Sequence, residues 1–489
     1  MRIRERTPRG GIGPGTDFRN LLGWLPLLAM TSPNRDLLLP PGTRRILHLD
    51  VDAFLASVEV ALHPELAGQP LVIGGLPHER NLVMTSSYEA RAFGVRPGMR
   101  LAEAHRLCPH AVFRRGDSQA ANRLREEMAA IVMRHTPLVR IASIDDLLAD
   151  LTGSARLAGA AFDVAVRLRR EIRDEVRLPV TIGIATSVSL ARVAGKLAKP
   201  GGVAEVWPGH EEAFLEGLPV EQLPGVGHGT ARLLERFAVR TAGDLRRVSR
   251  EVLFATFGRL GLVLHDRARG IDPEPVEPTW ITGPDGTLHR RPPRTIRRDS
   301  TFEPEEGSRA RVEAMLAYLV DRAVSRLRGH GLAARTVRVH LVHVDTRPPS
   351  LRRARGGTGG EEEHPGRAAA RRTLEAGSDS TDRLWEVART LLRSFPRRRA
   401  LVKRVGLELS NLQPREGWQA QLFSDPGADR LPGAGGSRAD RQRRLDDAVD
   451  GLRERFGFGR VLRGSSLPLS ETHELGPDGY RLRTPSLNQ

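Results

Sequence analysis

The 489-residue chain contains one cysteine, Cys108, so no intrachain disulfide can form and a reducing compartment such as the cytoplasm suits it. Aromatic residues make up only 4% of the sequence, although a hydrophobic share of 39% is enough for ordinary cores. Long apolar runs are missing too. The most apolar stretch, "NLLGWLPLLAM" (Asn20 to Met30), is too short to span a bilayer, which argues against a membrane protein. It follows an Arg-rich start, so a signal peptide has to be weighed against a disordered leader or a mis-assigned start at Met30. The ordered pattern begins near Arg44, and residues 1–43 are expected to lie outside the fold.

Lysine is the scarcest ion-former, with three lysines (Lys196, Lys199, Lys403) against 73 arginines. Such a bias is what a GC-rich coding sequence produces. Drift among cations does not explain the excess over acids, which leaves a net charge of +17. That charge favours a polyanionic partner, nucleic acid first.

The length implies three or four domains. "RRILHLDVDAFLASVEVAL" starts as a strand and changes to helical spacing at Phe54, Val58 and Leu62. "QPLVIGG" reads as a buried strand. "NLVMTSSYEARAFGV" reads as a strand entering a helix through the N-cap residues Thr85, Ser86 and Ser87. A short helix stops at Pro109, and a longer amphipathic one covers "SQAANRLREEMAAIVMRHT". "LVRIASIDDLLADLTG" reads as two strands about a tight turn, followed by a helix and the strand "PVTIGIAT". The alternation predicts a mixed α/β fold. Short helices follow from Glu211 to Val276. A Pro- and Gly-rich stretch after Asp272 reads as a linker. A second α/β region then carries the low-complexity insertion "TRPPSLRRARGGTGGEEEHPGRAAARR", expected to be disordered, and a tail follows Pro414.

Period two places Asp50 and Asp52 on one face of the first strand with Val51 opposite. Ile46, Leu47, Leu49 and Val51 make that strand look central rather than a solvated edge. Carboxylates so placed need cations or a metal. If Asp50 meets Asp145 and Asp146 in space, a hard divalent ion such as Mg²⁺ would relieve their repulsion.

In order along the chain, "LHLDVDAFLASVE", "SSYEARAFGVRPGM", "EAHRLCP", "SIDD", "TIGIATS", "KLAKPGGV" and "LPGVG" resemble the Y-family DNA polymerases of the bacterial polymerase IV type, from about Arg44 to Leu412. Each motif alone is weak, but the ordered set is specific. The resemblance implies a multi-domain α/β right-hand polymerase. Its α/β palm would be at 44–53 and 117–207, with small fingers at 54–116. A helix-hairpin-helix thumb would cover 208–276, and a linker 277–294. An α/β little finger would cover 295–415 with a disordered insertion at 346–372, and the tail would be 416–489.

The implied activity is template-directed, low-fidelity translesion synthesis by two-metal transfer from a dNTP to a primer 3′-OH. By the resemblance, Asp50, Asp145 and the Val51 carbonyl would hold two Mg²⁺ ions, with Asp146 as the third acid beside the 3′-OH. Asp52 and Asp150 match acidic positions that are not usual metal ligands. Thr85, Tyr88, Arg91 and Lys199 would reach the triphosphate. For Lys199 the scarcity of lysine adds an independent argument, because a retained compact ammonium suits a phosphate. Gly225 and Gly227 would hold a DNA phosphate on backbone N–H groups. Gln419, Leu422 and Phe423 in "WQAQLFSD" match the pattern that docks bacterial polymerases on the sliding clamp. The implied protein is a cytoplasmic monomer working on primer–template DNA, with no membrane partner.

Three departures stand out. Asp146 replaces the usual Glu, Leu55 replaces the aromatic ring that excludes ribonucleotides, and "SVSL" with Arg192 replaces a lysine-bearing stretch. They raise the alternative of a catalytically weak relative serving as a DNA- and clamp-binding accessory protein, and behind it a non-polymerase helix-hairpin-helix repair protein.

Overall fold

The computed structural model describes residues 35–79, 81–283, 285–344, 366–396, 398–415, 438–480 and 482. The chain divides after Arg291 into two compact units.

In the first unit a strand, β1 (Ile46–Val51), leads into α1 (Phe54–Leu62) through Ala53, whose left-handed backbone (φ 47°, ψ 47°) turns the chain sharply. A small layer follows: β2 (Leu71–Ile73), β3 (Thr85–Ser86), α2 (Tyr88–Ala92), α3 (Leu101–Leu107) and β4 (Val112–Arg114). Its strands run in the order β3-β2-β4 over a core containing Val72, Val83, Leu101 and Cys108. The chain then returns through α4 (Ser118–Met133), β5 (Val139–Ile141), β6 (Asp146–Asp150), α5 (Ala155–Ala158), α6 (Ala161–Val176), β7 (Val180–Ala185), α7 (Val188–Ala198) and β8 (Val203–Glu205).

The main sheet has the order β5-β6-β1-β7-β8, with β1 at its centre, antiparallel to both neighbours. The apolar alternation of β1 explains that place. Leu47, Leu49 and Val51 face a core shared with α4 and α6, while Ile46 faces another that includes Val188, Ala191 and Ala194 of α7. α7 lies very close to β7. A Cβ on Gly183 would stand 2.0 Å from the Ala191 carbonyl oxygen, so only glycine allows this approach.

The second of these cores continues into five short helices: α8 (Glu211–Leu215), α9 (His228–Arg236), α10 (Ala242–Arg247), α11 (Arg250–Phe257) and α12 (Arg259–Arg267). The linker expected at 277–294 is not structureless. Strands β9 (Trp280–Thr282) and β10 (Leu288–Arg290) pair as a hairpin. Just before it, Thr279 donates its N–H to the Val139 carbonyl at 2.8 Å, and its hydroxyl oxygen accepts from the Ile141 N–H at 2.8 Å. The prolines that suggest a linker cannot donate to a ladder, and the backbone joins the edge of β5 at Thr279, while Trp280 packs against the core that includes Val139.

The second unit comprises β11 (Ile296–Glu306), α13 (Arg309–Gly329), β12 (Leu332–His343), β13 (Arg367–Ser378), α14 (Thr381–Ser394), β14 (Val402–Pro414) and α15 (Arg438–Phe456). Its sheet has the order β11-β14-β12-β13 and is antiparallel throughout. Val337, Val339, Leu341, Val405 and Leu407 point into one core with α13 and α14. Alternation puts Arg297, Arg338, Arg371 and Arg404 on the opposite face.

Three expected boundaries move. The insertion expected to be disordered over 346–372 ends earlier, because residues from Arg367 form β13 against β12. Its Ala/Arg composition has little strand preference, and tertiary pairing overrides it. The leader expected over 1–43 already contributes to the fold at Arg35–Leu38. There Asp36 is buried, pairs with Arg45 at 3.0 Å and accepts the Ala161 N–H at the start of α6. The expected tail is part of the second core from α15 onward, since Leu469 and Tyr480 are buried in it. Ion pairs of Arg453 with Asp321 and of Arg328 with Asp450 hold it there.

Candidate active site

The antiparallel register sets Asp50 of β1 directly opposite Asp146 of β6, so both carboxylates emerge on the same face. Two residues back on that face lies His48. One ligand atom from each of His48, Asp50 and Asp146 fall within 4.8 Å of one another. The His48 Nε2 is 3.4 Å from Asp146 Oδ1, without the alignment of a hydrogen bond. On the other side, the Lys199 ammonium at the end of α7 donates to Asp50.

These neighbours divide the two carboxyls. Burial pushes Asp50 up to about 6, even though the hydrogen bond from Lys199 works against the rise. A cation therefore meets an ionised Asp50 at pH 7, but must displace a proton well below 6. Burial pushes Asp146 up as well, but the His48 ring and the Arg192 charge more than offset it and hold this carboxyl below its ordinary value.

The structure brings together Asp50 and Asp146, and leaves Asp145 beside them with a different partner. The Asp145 carboxylate accepts from the Ser143 hydroxyl within the turn, and its backbone carbonyl accepts the Val51 N–H at 3.1 Å. Asp52 lies just past β1 and is buried against Thr181 and Gly201. Asp150 ends β6, where it accepts the Thr152 N–H at 2.8 Å.

α2 presents Tyr88 and Arg91 together, with the guanidinium 4.6 Å from the ring centroid. Ser87 caps this helix by accepting the Ala90 N–H. Arg91 also donates from Nε to the Ser86 carbonyl at 3.0 Å. Burial, then the Asp52 charge, pushes the Tyr88 hydroxyl up to about 12, so it remains a donor at neutral pH. Thr85 pairs with Ile73 in the adjoining strand. Leu55 is buried in the first turn of α1.

In the helical region Gly225 has φ +96°, a conformation that requires glycine, and Arg267 donates to the neighbouring Pro224 carbonyl at 3.0 Å. Gly227 is the N-cap of the nine-residue helix α9. Gln419, Leu422 and Phe423 lie outside the described residues.

Sequence reasoning misses His48, although its spacing of two from Asp50 on one strand is the signal that would find it. It also misses the charge that Arg192 projects onto Asp146, which depends on the packing of α7 against β1 and β7.

Residues 49–196 match the impB/mucB/samB family, 293–422 its C-terminal domain, and 221–272 the DNA polymerase-iota thumb domain. A Y-family DNA polymerase chimera has the same fold, with a TM-score of 0.62 at 23% identity, over 76% of this chain and 99% of that one. An insertion ternary complex of Dbh DNA polymerase gives 0.53 at 23% identity, over 76% and 99%. The fold is thus that of a right-hand Y-family polymerase, mixed α/β with a helical thumb region. A DNA polymerase IV of Desulfatibacillum aliphaticivorans is 33% identical over 424 residues, covering 85% of this chain and 95% of the relative. One of Halorhodospira halophila is 35% identical over 381 residues, covering 78% and 98%. The chain belongs to the impB/mucB/samB family, the Y-family DNA polymerases.

Proposed function

We propose that this protein is a template-directed DNA polymerase of the translesion type, joining a dNTP to a primer 3′-OH. The observation that carries the reading is the pair Asp50 and Asp146, opposed across the central strands with Lys199 beside them. The donor set fits a hard divalent cation. Two partly buried carboxylates converge, supplying the oxygen ligands such an ion takes, and both nitrogens of the buried His48 ring beside them lack a hydrogen-bond partner. We assign Asp50 and Asp145, with the Val51 carbonyl, as the residues that hold two Mg²⁺ ions, and Asp146 as the acid nearest the primer terminus. When bound, the ions would activate the 3′-OH and neutralise the leaving pyrophosphate.

The protein's own groups do the rest. Lys199 is held against Asp50 and is free to turn to a triphosphate once a cation takes over that carboxylate. Arg91, stacked on Tyr88, supplies a planar donor fork to the same phosphates, with Thr85 nearby. Backbone N–H groups at Gly225 and Gly227 position the duplex by a phosphate without reading sequence. The open face of the second unit carries Arg297, Arg338, Arg371 and Arg404, which suits it to a DNA backbone. A purely accessory role is not favoured, since Asp50, Asp145 and Asp146 are all present. Extension of a primed template with Mg²⁺ and dNTPs, giving a ladder that stops at the template end, tests the proposal. A protein that binds the DNA and yields no ladder would refute it.

Two finer parts of the proposal have their own tests. Leu55 lacks the ring that would exclude a 2′-hydroxyl, so the enzyme should insert ribonucleotides. Leu55→Phe should lower ribonucleotide insertion relative to deoxyribonucleotide by roughly 10- to 100-fold, the range one steric contact supplies. Equal ratios of kcat/KM in the two proteins would clear Leu55 of that role.

The clamp reading rests on Gln419, Leu422 and Phe423. The chain on either side of them, β14 and α15, belongs to the second unit. Deleting 419–423 should abolish stimulation by the sliding clamp and leave clamp-independent synthesis intact. Undiminished stimulation would assign docking elsewhere. No helix among the described residues is long and apolar enough to cross a membrane. The proposal includes a monomeric enzyme in the cytoplasm.

A further inference from the structure

The groups assigned to the triphosphate stand on separate segments, Tyr88 and Arg91 on α2 and Lys199 at the end of α7. One side chain touches both. The Asp52 carboxylate is only 2% exposed. Its Oδ2 accepts the Gly201 N–H at 2.7 Å, two residues beyond Lys199. The Thr181 hydroxyl reaches Oδ2 and Oδ1 at 2.9 and 3.0 Å. The Tyr88 hydroxyl donates to Oδ1 at 3.4 Å. Asp52 therefore accepts from β7, from the turn after Lys199 and from α2 at once.

We propose that Asp52 is a positioning residue for nucleotide binding, its carboxylate tying the Tyr88–Arg91 pair to the turn that carries Lys199. The inference rests on the polymerase reading. α2 buries Ala90 in a small core with Val72 and Val95 and lays Tyr88 against one core of the main sheet, whereas α7 packs in the other core of that sheet. The shared acceptor adds a polar tie between α2 and the turn after α7. A carboxylate suits this task because it offers four lone-pair sites and donates nothing. Because Arg91 stacks on the Tyr88 ring, fixing the hydroxyl fixes the guanidinium. Because Gly201 is two residues from Lys199, fixing its N–H fixes the stem of the ammonium that meets Asp50. Asp52 itself touches no substrate in this scheme.

The test is steady-state dNTP insertion by the full-length protein, with melting temperature and primer–template affinity measured alongside. Asp52→Ala should raise KM for the dNTP about tenfold and change kcat by less than about threefold, as loss of a charge-assisted hydrogen bond predicts. Affinity for DNA should stay unchanged. Asp52→Asn, which keeps an acceptor oxygen, should recover most of the KM. A merely structural Asp52 would act differently: Ala would lower the melting temperature and the active fraction while the surviving enzyme kept its KM, and that result would overturn the proposal. If Asp52→Ala does not fold, Thr181→Val decides, because it deletes a hydroxyl that reaches Asp52, keeps the side-chain shape in β7 and touches none of the groups assigned to the triphosphate. A KM raised about threefold supports the tether, and an unchanged KM overturns it. A wild-type protein that extends no primer removes the polymerase reading and the positioning role together. Extension with unchanged KM in the variants removes only the latter.

Discussion

Asp50→Ala is expected to reduce single-nucleotide insertion by about a thousandfold, the scale of losing one preorganised electrostatic group at a reacting centre. Asp50 faces Asp146 across the central pair, receives the Lys199 ammonium and stands within reach of His48. Removing it deprives a cation of one carboxylate and leaves Lys199 beside Asp146 alone. The fold should hold, because Asp50 is the partly exposed end of a strand whose packing comes from Leu47, Leu49 and Val51. DNA binding should survive as well, since the proposed phosphate contacts lie in the helical region and on the second unit. The signature is thus lost insertion at unchanged primer–template affinity, measured by quenched-flow insertion and by anisotropy. A variant that keeps more than about a tenth of the wild-type rate would show that Asp50 holds no essential cation.

Asp321→Ala is expected to destabilise the second unit by about 3–5 kcal/mol, the usual result of stranding one member of a buried ion pair. Arg453 of α15 forks onto Asp321 of α13 with contacts of 3.0 and 2.5 Å, and both side chains are only 3% exposed. Arg453 also donates to the Val461 carbonyl at 2.9 and 2.7 Å and lies over the Phe458 ring at 4.0 Å. Nearby, Arg328 forks onto Asp450 at 2.6 and 3.0 Å, a second tie between the same helices. Alanine at 321 would leave the buried Arg453 guanidinium with a carboxylate no nearer than that of Asp450, at 3.9 Å. Melting of the second unit should drop by roughly 10 °C. The paired change Asp321→Leu with Arg453→Met should recover most of that loss, because a well-packed apolar pair replaces a buried ion pair at little net cost. A drop under about 1 kcal/mol would rank the contact with exposed bridges.

Local signals in the sequence account for much of the fold. The change from period two to helical spacing at Phe54 places β1 and α1, and Ser87 and Pro109 mark a helix start and stop. The elements that escape are those whose order comes from a distant partner. β13 is written in Ala and Arg and exists because β12 offers it a ladder. The hairpin after Pro278 is anchored to β5, 138 residues away in sequence, by Thr279, with Trp280 packed beside it. The burial of α15 escapes in the same way, since nothing in its charged sequence marks Arg453 as the residue buried against Asp321.

The site divides the same way. That Asp50 lies in a central strand is legible from its apolar neighbours, and scarcity singles out Lys199. The opposition of Asp50 to Asp146 depends on strand register, which no single segment encodes. A one-residue slip of β6 would present Asp145 in that position instead. The pairing of Lys199 with Asp50 likewise depends on how α7 packs on the sheet, which only the glycine at 183 hints at.

The most direct measurement is insertion of one nucleotide opposite each of the four template bases, with Mg²⁺ and all four dNTPs supplied singly, by wild type and Asp50→Ala. The account predicts that wild type adds the complementary nucleotide fastest on every template, with detectable misinsertion, and that Asp50→Ala adds almost none while binding the same DNA. Wild-type protein that binds primer–template with ordinary affinity but inserts nothing opposite any base would contradict it.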